Sequence, residues 1–449
     1  MDRTITVILK PLRRFALLKP SASLLLFAAT ILAIVMANSP WAIRYHMLLD
    51  FPIDIQIGQF NLFSHNGVPL SMLDFVNDAL MTIFFFMIGL EIKQEVLVGE
   101  LSSVRQALLP VVAACGGMIM PVLVYMCICG EPPAVQGAAI PMATDIAFAL
   151  AVLGLLGKRV PLSMRIFLTA LAVADDIGGI IVIAIFYSTN IATEPLLISL
   201  VVLAILYVGG KFEHHRFFFY VGGFIVWILF MESGIHATIA GVLVAFTVPA
   251  QPVVKLEAFT DEMRSLLNML DYKDVKHNKK ADVLTAKHIQ VLNNIHMLAN
   301  KTVSPLQKIT DKIYPLVNYL ILPLFAFVNA GITFGDIQPE SLVHVPLAVF
   351  LGLFIGKALG IFLFSYLFAC TPFASMPEGM SKRNLFGVSM LGGIGFTVAL
   401  FIANLSFDGS IEGENLLSQA KLGVFTGSFV SGVCGYFVLK WVLPKEQPA

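Results

Sequence analysis

Two adjacent aspartates, Asp175 and Asp176, stand in the middle of the apolar run ALAVADDIGGIIVIAIFY. Two more ionisable residues share that setting: Asp145 in AIPMATDIAFAL and Lys357 in GLFIGKALGI. An ionisable group at the centre of a bilayer costs at least ~2.5–3.5 kcal/mol, so each of the four needs a functional reason. Burial favours the neutral form of a carboxyl group, and a nearby cation favours the ionised form. Neighbours on a helix point about 100° apart, so Asp175 and Asp176 cannot share one partner. One can face Lys357 while the other faces a water-filled cavity. Sodium and protons then compete for the same oxygens. Taking up sodium on one side by losing protons, and reprotonating on the other, is a complete coupling scheme. The plainer alternative is a buried Asp–Lys pair that only joins helices, and it fits Asp175 with Lys357. For Asp176 no second buried base exists.

Such residues need membrane-embedded helices to hold them, and the composition supplies these. Of the 449 residues 57% are hydrophobic and only 13% charged, about half the charge of a soluble domain. Mean hydropathy is +0.84. The formal net charge is zero, which argues against a nucleic-acid partner. Segments of about 20 apolar residues span a bilayer. Twelve qualify, near 21–37, 74–90, 108–129, 138–157, 162–187, 195–210, 217–231, 233–249, 316–330, 343–369, 384–404 and 420–442. The expected fold is an all-α polytopic membrane protein with about 12 transmembrane helices and a single transport domain. Its parts are spans 1–8 in residues 1–250, a polar insertion at 251–314 and spans 9–12 in residues 315–449.

Basic residues orient the spans. With the N-terminus inside, behind Arg3, Lys10, Arg13, Arg14 and Lys19, 26 of the 29 basic residues fall on the cytoplasmic side. Only Arg44, Lys357 and Lys421 do not. Both termini are therefore expected in the cytoplasm. No cleavable signal peptide is expected, because no small-residue cleavage site follows the first apolar run. The five cysteines, Cys115, Cys127, Cys129, Cys370 and Cys434, have no metal or disulfide spacing. No cofactor is expected.

Outside the spans, FPIDIQIGQFNL at 51–62 alternates apolar and polar residues around Gly58 and reads as an extracytoplasmic β-hairpin. Its exposed strand edge suits a homodimer contact. In the insertion, Leu256, Phe259, Met263, Leu266, Leu267 and Leu270 recur at helical spacing, as do Leu284, Val291, Ile295 and Leu298. Short helices are expected there, with His277, His288 and His296 solvated.

Two spans carry breaks. Pro141 interrupts span 4 just before Thr144 and Asp145, and Gly392, Gly393 and Gly395 interrupt span 11 in LGGIGFTVAL. Seven crossings separate the two spans, so they run in opposite directions. Interrupted spans of opposed polarity mark inverted-topology repeats that cross near the midplane. Broken backbone is tolerated there only where it lines a cavity or protein interior. Asp145 and Lys357 then serve as counter-charges for the facing helix ends, and for Asp145 direct ion binding is the alternative.

With these residues the chain resembles the NhaA family of bacterial sodium/proton antiporters. The stretches that carry the likeness are VNDALMTIFFFMIGLEIKQE, AIPMATDIAFAL, ALAVADDIGGIIVIAIFY, SGIHATIAG, NYLILPLFAFVNAG, GLFIGKALGI and GGIGFT. The resemblance implies the same inverted repeats with midplane sites. The resemblance implies a multi-pass protein of the bacterial inner membrane that exchanges Na+ (or Li+) for H+, with two protons per sodium and activation at alkaline pH. It implies Asp176 as the principal ion-binding and proton-carrying acid, Asp175 as its partner, and Thr144 as a further sodium ligand. Lys357 would pair with Asp175 and carry a proton itself. Thr144 and Asp145 would belong to the crossed broken helices. Glu91, Lys93, Glu95 and His236 match a pH-responsive region, although a solvated helix end and a packed histidine are the plainer readings of them. The chain departs from the family before span 9. There TDKIYPL follows the long insertion in place of an acid and histidine stretch ahead of Pro-Trp.

Two rivals remain at this point. A sodium-coupled organic-anion symporter on a similar plan would need polar anchors for its substrate and no Asp pair beside a lysine. An intramembrane aspartyl protease would need two aspartates on separate spans that share a proton. Asp145 with Asp175 would be that pair, but the Gly-x-Gly-Asp setting is absent. The expectation is a transporter and not an enzyme.

Overall fold

A computed structural model describes residues 21–444, apart from 55, 58–59, 62–63, 66–67, 189–190, 213–215, 270–283, 334–341, 373–375, 378 and 408–409. The basic N-terminal residues Arg3 to Lys19, Gly58, Leu270, His277 and Lys445 lie outside the described residues.

The described residues are mostly helical. The chain runs α1 (Ser21–Ala37), α2 (Ala42–Leu49), α3 (Met72–Val98), α4 (Val104–Ile128), α5 (Ala134–Met142), α6 (Ile146–Gly154), α7 (Leu162–Phe186), α8 (Thr193–Gly209) and α9 (Arg216–Ser233). It continues with α10 (Ala237–Thr247), α11 (Leu256–Met269), α12 (Ala286–Thr302), α13 (Pro305–Asn329), α14 (Val345–Ala369), α15 (Lys382–Gly392), α16 (Phe396–Ser406) and α17 (Ile411–Val442). Among the described residues α3, α4, α7, α13, α14 and α17 are each long and apolar enough to cross a membrane. Three bent pairs qualify jointly: α1 with α2 (117°), α5 with α6 (42°) and α15 with α16 (45°), for up to nine spans. The apolar helices α8, α9 and α10 fall short of the ~20 residues of a full crossing.

The sequence shows why the elements start and break where they do. Ser304 and Gln307 form a capping box at the start of α13, and Ser381 caps α15 through the Asn384 N–H. Pro40 follows α1, and the chain re-enters a helix at Ala42. The sequence reading has no helix there. It is held by Tyr45, whose hydroxyl donates to the Phe327 carbonyl at 2.6 Å.

Close helix packing depends on glycine, as expected between membrane helices. A Cβ at Gly360 in α14 would run into the Gly116 carbonyl oxygen of α4, and one at Gly241 in α10 would run into the Thr82 carbonyl oxygen of α3.

Between α2 and α3 the chain forms short antiparallel strands: β1 (Pro52–Ile53), β2 (Gln56–Ile57), β3 (Phe60–Asn61), β4 (Ser64–His65) and β5 (Val68–Ser71). Gln56 pairs with Asn61 inside the expected 51–62 hairpin. The strand that pairs with Pro52 is nevertheless β5, through Ser71, so the ribbon runs further than the sequence reading.

In the insertion α11 and α12 pack together through Leu266, Val291 and Leu298, with Phe259, Met263 and Ile295 beside them. Leu256, Leu267 and Leu284 are exposed. His296 is exposed, but His288 is buried, and its Nδ1 lies 3.0 Å from the Thr285 hydroxyl. The expectation of a solvated His288 is therefore corrected: one turn of α12 folds it against its own N-cap.

Candidate functional site

The 25-residue helix α7 carries both aspartates at its centre, and both are buried. Lys357 is fully buried on α14, at the end of the π-helical turn Gly352–Lys357. Such turns widen a helix locally and recur at functional sites. The Lys357 ammonium donates to Asp175 Oδ2 at 2.7 Å. It also donates to the carbonyl of Met142, the last residue of α5. A helix C-terminus leaves carbonyls without partners and carries partial negative charge, so one ammonium answers both a carboxylate and a helix end.

The two helix breaks meet and satisfy each other. Asp145 is the N-cap of α6 and accepts from the Phe148 N–H at 3.0 Å. Its other oxygen accepts from the Thr397 N–H at 3.1 Å and the Thr397 hydroxyl at 2.6 Å, in the first turn of α16. One carboxylate thus faces two helix N-termini, where partial positive charge gathers. The Asp145 N–H donates to the Ile394 carbonyl at 2.6 Å, and the Thr144 hydroxyl donates to the Gly392 carbonyl at 3.0 Å. A Cβ at Gly395 would stand 2.9 Å from the Ala143 oxygen, so the chains approach too closely there for a side chain.

Asp176 differs from its neighbour. No hydrogen bond to its carboxyl is present among the described residues. It opens into a cavity of about 410 Å³ lined also by Thr144, Asp145, Glu91, Glu95 and Asp311. Gln94, Thr310, Tyr314, Asn318 and Thr397 line it too, and among the described residues no lysine, arginine or histidine does. Asp175 does not reach this cavity. A separate void of about 10 Å³, beside Met142 and Ala143, touches both aspartates. Asp175 Oδ1 is buried and unpartnered.

Among the pH-response candidates, Glu91 and Glu95 reach the cavity, and Glu95 also accepts from the Glu100 N–H at 2.8 Å. Lys93 turns away from it. Its ammonium donates to the carbonyls of Phe246, at 2.7 Å, and Val248, so it caps the C-terminus of α10. His236 precedes α10, packs edge-on to Phe401 with ring centroids 5.9 Å apart, and does not line the cavity.

The sequence reading missed several polar residues. Thr397 is the second partner of Asp145, but it lies 252 positions away and has no local signature. Asp311 and Tyr314 lie in the TDKIYPL stretch that departs from the resembled family, yet both face the cavity. Asp78 is a further ionisable residue inside the expected second span, and it is half-buried. Beside it Asn77, Asn329 and Asn404 hydrogen-bond side chain to side chain, with Asn404 donating to Asn329 Oδ1 at 2.7 Å.

Comparison with known proteins gives the lineage. The family pattern described as Na+/H+ antiporter 1 matches residues 13–439. A protein of Parabacteroides distasonis named Na(+)/H(+) antiporter NhaA is 79% identical over the whole chain and 99% of its own length. Proteins of the same name from Porphyromonas gingivalis and Bacteroides fragilis are 49% and 50% identical, each over 98% of this chain. They are aligned over 97% and 100% of their own lengths. With its paired aspartates, buried lysine and interlocked helix breaks, the chain belongs to the Na+/H+ antiporter 1 family.

Proposed function

We propose that the protein exchanges sodium, or lithium, for protons across the bacterial inner membrane. The observation that carries this reading is the asymmetry of the aspartate pair. Asp175 is neutralised by Lys357, whereas Asp176 faces a cavity of about 410 Å³ with no counter-cation among the described residues. In this reading Asp176 is the exchanging group. Held away from bulk water, its carboxyl group keeps either a proton or an alkali cation. Thr144 and Asp145 lie on the same cavity, so Thr144 supplies a further oxygen. Asp175 joins the site when Lys357 releases it, and its unpartnered Oδ1 is then available. The two interlocked breaks place helix ends around the ion, and Asp145 and Lys357 balance their partial charges.

The chain then crosses the bilayer twelve times as inverted repeats, with α8, α9 and α10 as short spans and both termini in the cytoplasm. The cytoplasmic excess of basic residues supports this orientation. Two protons enter per sodium expelled, so one net charge moves inward per cycle. That charge gains about 2.3 kcal/mol per 100 mV of membrane potential, enough to drive sodium out against its gradient. Glu91 and Glu95 at the cavity adjust its field with pH. Lys93 and His236 act through the ends of α10. The β-ribbon that includes residues 51–62 offers an edge for a second copy.

The rivals fit less well. A cavity lined by acids and, among the described residues, by no base repels an organic anion. Asp145 and Asp175 are each engaged elsewhere and share no proton.

In everted vesicles with a dye reporting ΔpH, sodium should collapse the gradient for wild type and leave it intact for Asp176→Asn at every pH. A sodium response in correctly inserted Asp176→Asn would contradict the role of that carboxyl.

A further inference from the structure

A second cavity, about 740 Å³, lies apart from the acid-lined one, between α1, α6, α16 and α17. This is the size that takes one ligand-sized molecule, ~300–1,000 Å³. Its wall is aliphatic and aromatic, from Phe27 and Ile31 on α1 to Phe429 and Phe437 on α17, and these four side chains are exposed. Three of its four hydroxyls, all but that of Tyr436 at one end, already hold a partner. Thr30 donates to the Leu26 carbonyl, Thr426 donates to the Leu422 carbonyl, and Ser428 Oγ accepts from the Gly395 N–H. An occupant therefore gains hydrocarbon contact and little else along the wall.

The ends of the groove differ. Along α17 it runs from Leu422 to Phe437, about 22 Å at 1.5 Å per residue, longer than one leaflet's ~15 Å of hydrocarbon. One turn past its Tyr436 edge stands Lys440, whose ammonium lies 5.5 Å from the Tyr436 ring centroid and meets no carboxylate among the described residues. Arg159 is fixed at the same end by donating to the carbonyls of Lys440, Leu443 and Pro444 at 2.7–3.0 Å. Carbonyls position a guanidinium without neutralising it. At the other end Lys421 adjoins Leu422, but the same helix starts with the acids Glu412 and Glu414. The groove is thus apolar along its length, with two cations that meet no carboxylate among the described residues at its Tyr436 end.

We propose that this groove binds one anionic phospholipid, with an acyl chain along α17 and the headgroup phosphate on Lys440 and Arg159. The surrounding hydrocarbon supplies the chain, and a phosphate complements the uncompensated cations. The site goes beyond the antiport reading and does not depend on it. It does touch the same machinery, because Phe148, Ile394 and Phe396 at the helix breaks form its inner wall.

The test measures phospholipid retained by the purified full-length protein after extensive detergent washing. It uses mass spectrometry, after reconstitution in equal phosphatidylglycerol and phosphatidylethanolamine. Gly432→Phe fills the groove without backbone conflict, since a Cβ at Gly432 would meet only Ile394 and Val152 side chains at 3.4 Å or more. Val433→Trp serves in its place should that variant fail to fold. The expected result is about one phosphatidylglycerol retained per wild-type chain, falling at least fivefold in the filled variant. Lys440→Gln combined with Arg159→Gln should retain lipid but lose the preference for phosphatidylglycerol. Equal retention by wild type and the filled variant would overturn the site. An unchanged preference in the double variant would overturn the headgroup assignment.

Discussion

At the residue scale, one ammonium does three jobs. Lys357 neutralises Asp175, completes the end of α5, and leaves Asp176 as the member of the pair that faces the cavity. Removing one partner of a buried pair strands the other charge, at a cost of about 3–5 kcal/mol. Lys357→Ala should therefore lower the melting temperature in detergent by several degrees. Adding Asp175→Asn should restore part of that loss, because the stranded charge goes too. A wild-type melting curve for Lys357→Ala would rule out the pairing. This part of the site was legible because charge within an apolar run is conspicuous. The division of labour between the aspartates came from the family resemblance and not from spacing. It depends on which way α14 presents Lys357, and a π-helical turn sets that direction.

At the element scale, the breaks matter more than the helices. Pro141 and the Gly392–Gly395 cluster are local signals, and the chain breaks where they predict. What spacing could not reveal is that the breaks interlock through Asp145, Thr144 and Thr397, since those partners are separated by about 250 residues. Asp145→Asn keeps a cap for α6 but gives up the charge that faces two helix N-termini, while Asp145→Ala gives up both. Caps and charge-assisted bonds contribute about 1–3 kcal/mol each. Thermal stability should fall in the order wild type, Asn, Ala, as read by fluorescence-detected melting. Equal stability of Asn and Ala would deny Asp145 its capping role. The α4–α14 contact offers a second test. Gly360→Leu must push those backbones apart, and Lys357 lies three residues away. Folded yield should drop severely, and a wild-type yield would refute the close packing. Short helices such as α2, and polar residues such as Asp311, escaped sequence reading for a common reason. Tertiary packing, and not hydrophobic periodicity, gives them their place.

At the scale of the whole molecule, the chain separates two media, and its function is an exchange between them. If sodium and protons compete for one set of oxygens, binding sodium releases protons. The sodium concentration for half-maximal exchange should rise roughly tenfold per pH unit of acidification for each proton displaced. A pH-independent value in vesicles held at fixed membrane potential would argue against competition. The most direct measurement neutralises both carboxyls. Everted vesicles carrying Asp175→Asn with Asp176→Asn, at wild-type abundance in the membrane, are loaded with acid, and sodium is added while a dye reports ΔpH. Wild type should release protons at once and the double variant should release none at any pH. Sodium-driven proton release by the double variant would contradict the account.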